Sequence, residues 1–407
     1  MKRGSLLIAI PFLGISAYGQ TIDSAKVQSV LDKLELDVYG EIFYNAYQWE
    51  TFPKKNNDID LSRLVLYPEY HFNDQIGVEM EIEFEHGGTG ATMEYDYIEE
   101  YGEFEMEIEK GGEVSIEELE LNYTPTPWME IIAGRIGLPI GLIAGDDKPL
   151  NYFTTTYNNV EATLIPTAWY EFGAGAEFNF RNWEAKLVVV NALNSSLFSS
   201  ANWIKPGNAM RFETTAADAF AVCLGINYNL NENSHIGVST YRGNSTPNRP
   251  KEDISVDGNV SIADAHAKLQ FGRWKINGLL IYGHLQNADL ISEANRNLSN
   301  NLNAKRTPVA SETMGYLGEI AFNILPKTNE HYRALDIFAG YYYYDSMYGT
   351  TGDIFNNPRW EKTEWRGGFC FTWNDNIAIK SDVTYRTLNI PDVNTEITYT
   401  TALAFQF

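Results

Sequence analysis

The end of the chain constrains it most. Ile397, Tyr399, Thr401, Leu403, Phe405 and Phe407 alternate with Glu396, Thr398, Thr400, Ala402, Ala404 and Gln406. Successive side chains of a strand point to opposite faces, so this period of two describes a strand with one apolar face and one small or polar face. The pattern runs into the final residue, an aromatic. Terminal strands of soluble domains usually fray or stop short. A last strand that stays apolar on one face to its end suits a closed barrel in a membrane, where an open sheet edge is not tolerated.

The same alternation recurs upstream. Phe369, Phe371 and Trp373 alternate with Gly368, Cys370 and Thr372, and Tyr170, Phe172, Ala174, Ala176, Phe178 and Phe180 alternate with Glu171, Gly173, Gly175, Glu177 and Asn179. Many runs reach the nine to eleven residues, roughly, that a tilted strand needs to cross a bilayer. Short turns such as Asn73-Asp74-Gln75, Asn231-Glu232-Asn233, Gly272-Arg273 and Asn374-Asp375-Asn376 carry turn-forming residues. They alternate with long polar segments at 87–112, 139–166, 193–215, 287–310 and 345–361. Short turns on one side and long loops on the other is the layout of a bacterial transmembrane barrel. The expected fold is all-β: an antiparallel up-and-down transmembrane β-barrel of about sixteen strands.

Residues 1–19 read as a signal peptide. Met1-Lys2-Arg3 is a positive start, Leu6 to Ile15 is apolar, and Ala17-Tyr18-Gly19 offers small residues for cleavage. Residues 20–33 form an N-terminal periplasmic segment, either a short helix (Val27, Val30, Leu31 and Leu34 have helical spacing) or a flexible leader. The barrel occupies 34–407. No later stretch is long and apolar enough for a transmembrane helix. With 54 acidic against 30 basic residues the formal net charge is −24, which argues against nucleic acid and anionic headgroups as partners. Two cysteines, Cys223 and Cys370, leave no disulfide scaffold or cysteine-rich metal site.

Several motifs carry a resemblance. They are Glu81-Ile82-Glu83-Phe84-Glu85-His86-Gly87-Gly88-Thr89, Glu109-Lys110-Gly111-Gly112-Glu113-Val114, Ala133-Gly134-Arg135 with Leu138-Pro139-Ile140-Gly141-Leu142, and Leu164-Ile165-Pro166-Thr167-Ala168-Trp169 before Tyr170-Glu171. Over about residues 76–180 the chain resembles the phosphate-selective porin O and P family of Bacteroidota outer membranes, in its broad sense. The resemblance implies a sixteen-stranded outer-membrane barrel conducting small solutes. Members that select phosphate do so through lumenal arginine and lysine ladders, and no such ladder stands in this sequence. Anion selectivity is therefore not carried over.

In a barrel the polar parity of each strand names the lining of the lumen. In the third strand it is Glu79, Glu81, Glu83 and Glu85, against Val78, Met80, Ile82 and Phe84. Residues two apart on one face lie ~6.6–6.8 Å from each other, so the four form an acidic ladder, faced by Glu118 and Glu120 of the next strand. The alternation Glu103, Glu105, Glu107 and Glu109 extends this hairpin into the outer loop. Expected basic lining residues are Arg63, Arg135, Arg366, Lys380 and Arg386. The acids outnumber them, and acidic rings favour cations. Segment 139–166, the third long loop, carries Asp146, Asp147 and Lys148 and either folds inward as a constriction or caps the mouth. Tyr39, Phe43, Tyr47 and Trp169 are assigned to the aromatic girdle at the membrane interface, with an inward stacking track as the alternative.

A catalytic site is not expected. Asp264 and His266 share a strand face, but no serine is placed beside them and no Gly-x-Ser-x-Gly elbow occurs. No cofactor or metal is expected. The function expected is passive diffusion of small hydrophilic solutes or ions through an outer-membrane porin, with cation or neutral preference. The alternative is a non-conducting barrel that presents its loops for adhesion or assembly. Outer-membrane lipid and small solutes are the expected partners, with a homotrimer by analogy of fold.

Overall fold

The computed structural model describes residues 24–95, 106–144, 147–208, 214–298, 306–326 and 333–407, without the side chains of 24–27, 89–95 and 106–111. The signal-peptide assignment over 1–19, Glu103, Glu105 and Asp146 lie outside the described residues.

A helix, α1 (Ser24–Leu31), precedes the first strand. The strands are β1 (Leu34–Trp49), β2 (Asp58–Asn73), β3 (Ile76–Tyr95), β4 (Met106–Thr126), β5 (Met129–Gly137), β6 (Tyr170–Phe180), β7 (Trp183–Asn191) and β8 (Phe220–Asn231). They continue as β9 (Ser234–Asn244), β10 (Asn259–Phe271), β11 (Trp274–Leu285), β12 (Glu312–Leu325), β13 (Ala334–Gly349), β14 (Glu361–Asn374), β15 (Ile377–Leu388) and β16 (Thr395–Gln406). Helices α2 (Asn159–Leu164) and α3 (Ala288–Arg296) lie in the long connections. Each strand pairs antiparallel with its sequence neighbours, and β16 closes on β1. The sixteen-stranded closed barrel is the expected architecture. Closure of β16 on β1 removes the open sheet edges that a bilayer does not tolerate. The amide and carbonyl of Phe407 both bond to Val38, each at 2.8 Å, which seals the seam at the short-turn end.

The outward faces carry what a membrane barrel needs. Ile131, Leu187, Val189, Leu280, Ile337 and Leu403 are exposed and form an apolar belt. Exposed Trp128, Trp183, Trp274 and Trp373 ring the short-turn rim, and Tyr316, Trp365, Tyr385 and Tyr399 ring the other. This is the distribution that places aromatic rings at both membrane interfaces.

Strands β3 and β4 extend into the long polar segment 87–112, in line with the alternation at Glu107 and Glu109: the ladder resumes beyond a break, from Gly90 opposite Gly112 to Tyr95 opposite Met106. The break falls at His86, Gly87 and Gly88, all at positive φ. A Cβ on Gly112 would stand 1.5 Å from the Gly88 carbonyl oxygen, so only glycine lets the two backbones pass.

Inside, the barrel is asymmetric. Along β5 and β7–β13 many inward positions are apolar: Ile132, Val188, Val190, Cys223, Val260, Ile262 and Leu317 are all buried. They pack with Leu138, Val160, Leu164, Trp203, Ile291 and Val309 from the long connections into one cluster. Polar inward residues are densest along β1–β4 and recur at Asp264, His266, Glu319, Glu364, Arg366, Lys380 and Asp382.

Candidate functional site

The acidic row is positioned by two bulges. Glu41 pairs with Arg63 but Ile42 with Leu61, leaving Ser62 as an extra residue in β2. Glu81 pairs with Glu118 but Ile82 with Ile116, leaving Glu117 as an extra residue in β4. A bulge puts two residues opposite one and flips the parity beyond it. Glu117 and Glu120 are both buried while Ile116 and Leu119 face out. Strict alternation in β4 named Glu118 and Glu120 but missed Glu117. The signal was readable: the apolar residues Ile116 and Leu119 stand three apart, as do Leu61 and Leu64 in β2.

The carboxylates are held by tyrosines from neighbouring walls. Tyr67 Oη stands 2.9 Å from Glu79 Oε2 and 3.0 Å from Glu118 Oε2. Asn122 Nδ2 donates to Glu79 Oε1 at 2.6 Å. Tyr170 Oη donates to Glu81 Oε2 at 2.8 Å, and Tyr39 Oη lies between Glu81 Oε1 at 3.2 Å and Asp147 Oδ1 at 3.0 Å. Tyr39, Phe43 and Trp169 therefore do not belong to the interface girdle. Tyr39 is 1% exposed, and Trp169 packs on Tyr241 with ring centroids 4.8 Å apart while its Nε1 donates to Glu171. Their own hydroxyl and indole N–H need partners that lipid cannot supply. Tyr47 sits at the long-loop end, edge-on to Trp49 and under Lys55.

Segment 139–166 crosses the interior. Asp264 of β10 accepts from the Gly141 amide at 3.0 Å, while Arg63 of β2, on the opposite wall, donates to Asp147 Oδ2 at 2.6 Å and to its carbonyl oxygen. Lys148 bonds Asp37 of β1 at 2.6 Å, and Tyr152 Oη donates to Glu41 at 3.0 Å. Thr155 donates from its amide and hydroxyl to Asp382 of β15, and Asn159 Nδ2 to Glu364 of β14. Within the segment, Glu161 accepts from the amides of Leu142 at 2.7 Å and Ile143 at 3.3 Å and from the Asn158 side chain. Burial pushes the Glu161 carboxyl up to about 7 against those donors. Gly141 stands at φ +86, with any Cβ 1.9 Å from Glu161 Oε1, so the turn and its anchor require glycine there.

Several basic residues expected to line a pore hold this segment or a neighbour instead. Arg366 Nε bonds Asp382 at 2.9 Å and its Nη2 donates to the hydroxyls of Thr155 and Thr156. Lys380, fully buried, donates to the Pro149 carbonyl oxygen and lies 3.9 Å from the Tyr152 ring centroid. Arg135 donates to the Ile116 carbonyl oxygen at 3.0 Å and reaches Glu117 at 3.5 Å. Arg386 pairs with Glu396. These four border neither of the two main cavities. The three arginines are ion-paired and Lys380 is bonded to a backbone carbonyl, so all four are spent on the wall and the crossing segment.

Two cavities flank the crossing. The outer one, about 680 Å³ at the long-loop end, is bordered by Glu83, Glu85, Arg63, Glu113, Glu117 and Asp147 among others. The inner one, about 660 Å³ towards the short turns, is bordered by Glu79, Glu81, Glu118, Glu120, Asp147 and Lys148 among others. Asp147 borders both. Between them Arg63 is ion-paired to Glu41 at 3.2 Å and to Asp147, with Glu83 at 3.9 Å.

A serine does stand beside Asp264 and His266, contrary to expectation. Ser239 Oγ donates to Asp264, and His266 Nδ1 bonds the other oxygen of the same carboxylate at 2.7 Å, with Nε2 on Asn227. The serine therefore bonds the carboxylate and not the imidazole, the wrong order for a base to activate it. Together with Gly141 this cluster anchors the crossing segment.

No known family profile matches the sequence. An uncharacterized protein of Aquifex aeolicus (strain VF5) is 23% identical over 368 residues, covering 88% of this chain and 77% of that protein. Among solved structures, an anion-selective porin from Comamonas acidovorans superposes with TM-score 0.53 at 9% identity, over 92% of this chain and 99% of the other. OmpT of Vibrio cholerae in its trimer form gives 0.51 at 8% identity, over 92% and 99%. The chain is a closed sixteen-stranded β-barrel of porin-like fold.

Proposed function

We propose that the barrel is a passive diffusion channel for small hydrophilic solutes, with preference for cations or neutral molecules. Solutes pass along the β1–β4 wall, the interior segment 139–166 narrows the path, and Asp147, which borders both cavities, stands paired with Arg63 between them. One observation carries the reading: the acidic row of β3 borders both cavities, Glu83 and Glu85 the outer, Glu79 and Glu81 the inner. A polar lumen with an excess of carboxylates concentrates cations without any covalent step. The resemblance to phosphate-selective porins over 76–180 is read as one of architecture. Assembly as a homotrimer is proposed on the trimer form of the Vibrio cholerae neighbour.

The test is single-channel recording of the refolded protein in a planar bilayer under a salt gradient. Stable steps with a cation-selective reversal potential are expected. Stable steps of anion-selective sign keep the channel and overturn the acidic wall as its selector. A folded barrel without steps overturns the channel reading in favour of a loop-presenting barrel. That second reading draws on the outer connections, which pack round buried Phe198, Trp203, Ile291 and Val309, with Arg249 fixed between Asp253 and Asn295.

A further inference from the structure

We infer that the inner cavity binds linear aliphatic diamines and longer polyamines, their ammonium groups on successive carboxylates of the β3–β4 wall. This rests on the channel reading and names the solute class that the same wall selects.

The inner cavity is bordered by nine carboxylates and three lysines, and two of those lysines are ion-paired, Lys148 to Asp37 and Lys186 to Glu177. Glu120 is 6% exposed, and its Oε2 has neither solvent surface nor a hydrogen-bond partner. A buried carboxylate oxygen without a donor is costly, and the cation nearest to it, the Lys186 ammonium, spends its hydrogen bond on Glu177, which leaves a donor on Glu120 to a guest. Two tyrosines are each shared between two carboxylates, which also accept from other donors: Asn122 on Glu79, Tyr170 on Glu81 and Arg63 on Asp147. Tyr67 Oη stands within bonding distance of both Glu79 and Glu118, and Tyr39 Oη of both Glu81 and Asp147. A phenol carries one proton, so one carboxylate of each pair takes none from it.

The arrangement favours an extended cation over a point charge. Among the described residues no group of three His, Cys, Asp or Glu side chains converges closely enough to hold a metal ion. Glu79 and Glu81 lie instead on one strand face, where rungs are ~6.6–6.8 Å apart. Two ammonium groups joined by about four or five methylenes span that distance, given carbon–carbon bonds near 1.5 Å. The rings of Tyr39, Tyr67 and Tyr170 border the strip, where they can cover the methylenes and face the ammonium heads.

The experiment is calorimetric titration of the folded, detergent-solubilised protein with α,ω-diamines of two to eight methylenes, with butylamine and magnesium as controls, alongside current block in the bilayer. The expected result is an optimum near four or five methylenes, with binding about tenfold tighter than butylamine, and about tenfold loss in Glu79→Gln and in Glu120→Gln. A flat dependence on chain length, or magnesium binding as tightly as the best diamine, overturns the inference. If the variants do not fold, the chain-length series on the unaltered protein decides. Diamine binding without conductance sinks the channel reading alone, and cation-selective conductance without diamine discrimination sinks this inference alone.

Discussion

Neutralising either member of the Arg63–Asp147 pair should move ion selectivity in opposite directions. Asp147 borders both cavities and accepts from Arg63 at 2.6 Å. A monovalent ion passing about 5 Å from a unit charge feels about 0.8 kcal/mol at the dielectric of water and about 3 kcal/mol at an effective dielectric of 20. Pore water and salt hold the effect near the lower figure, a factor of about four for each ion. The charge acts on cation and anion in opposite senses, so their permeability ratio changes by about tenfold. Asp147→Asn should therefore lower the cation-to-anion ratio by about that factor, and Arg63→Gln should raise it comparably. The assay is reversal potential across a potassium chloride gradient, with gel mobility before and after heating to verify a folded barrel. A shift of the same sign in both variants, or less than about twofold in either, would show that the pair is off the ion path and refute the reasoning.

Other expectations concern the crossing segment and the hairpin. Glu161→Ala leaves the amides of Leu142 and Ile143 without their acceptor, costing about 1–3 kcal/mol; open-channel noise should rise, and unchanged noise would show that the anchor is dispensable. Arg366→Ala strands buried Asp382 at a cost of about 3–5 kcal/mol, seen as a lower unfolding temperature of the refolded barrel. The Glu161 carboxyl stands at about 7, above its ordinary 4.5, so its contribution to stability is full below the ordinary value and is lost as pH rises through 7. The segment should thus be held more firmly at pH 5 than at pH 8, with less current noise, and Glu161→Gln should flatten that dependence. Gly112→Ala should break the outer extension of β3 and β4 while leaving the barrel folded, read as protease cleavage confined to the extension.

Much of the fold was legible because a barrel wall meets lipid on one side everywhere. Tyr399, Leu403 and Phe407 had to face out, and period two then fixed the rest of β16. The acidic row of β3 was legible for the same reason. The wall opposite was less so, because the inward faces of β7, β8 and β10 are apolar in their long-loop halves, as at Val188, Cys223 and Ile262. Parity there names what points inward but not whether water or protein fills the space.

What the sequence determined by itself is therefore local: strand after strand, alternation against lipid, turns at one end and loops at the other. Only the closed structure decided what the inward charges do. Arg366 and Lys380 share the polar parity of Glu79 and Glu81, yet the first two are consumed by the crossing segment while the others border open space. The segment meets β2 and β10 across the interior, partners more than a hundred residues apart in one case. No period along the chain encodes that path. It is set by which buried charges find partners at barrel diameter, a distance that exists only once β16 has closed on β1.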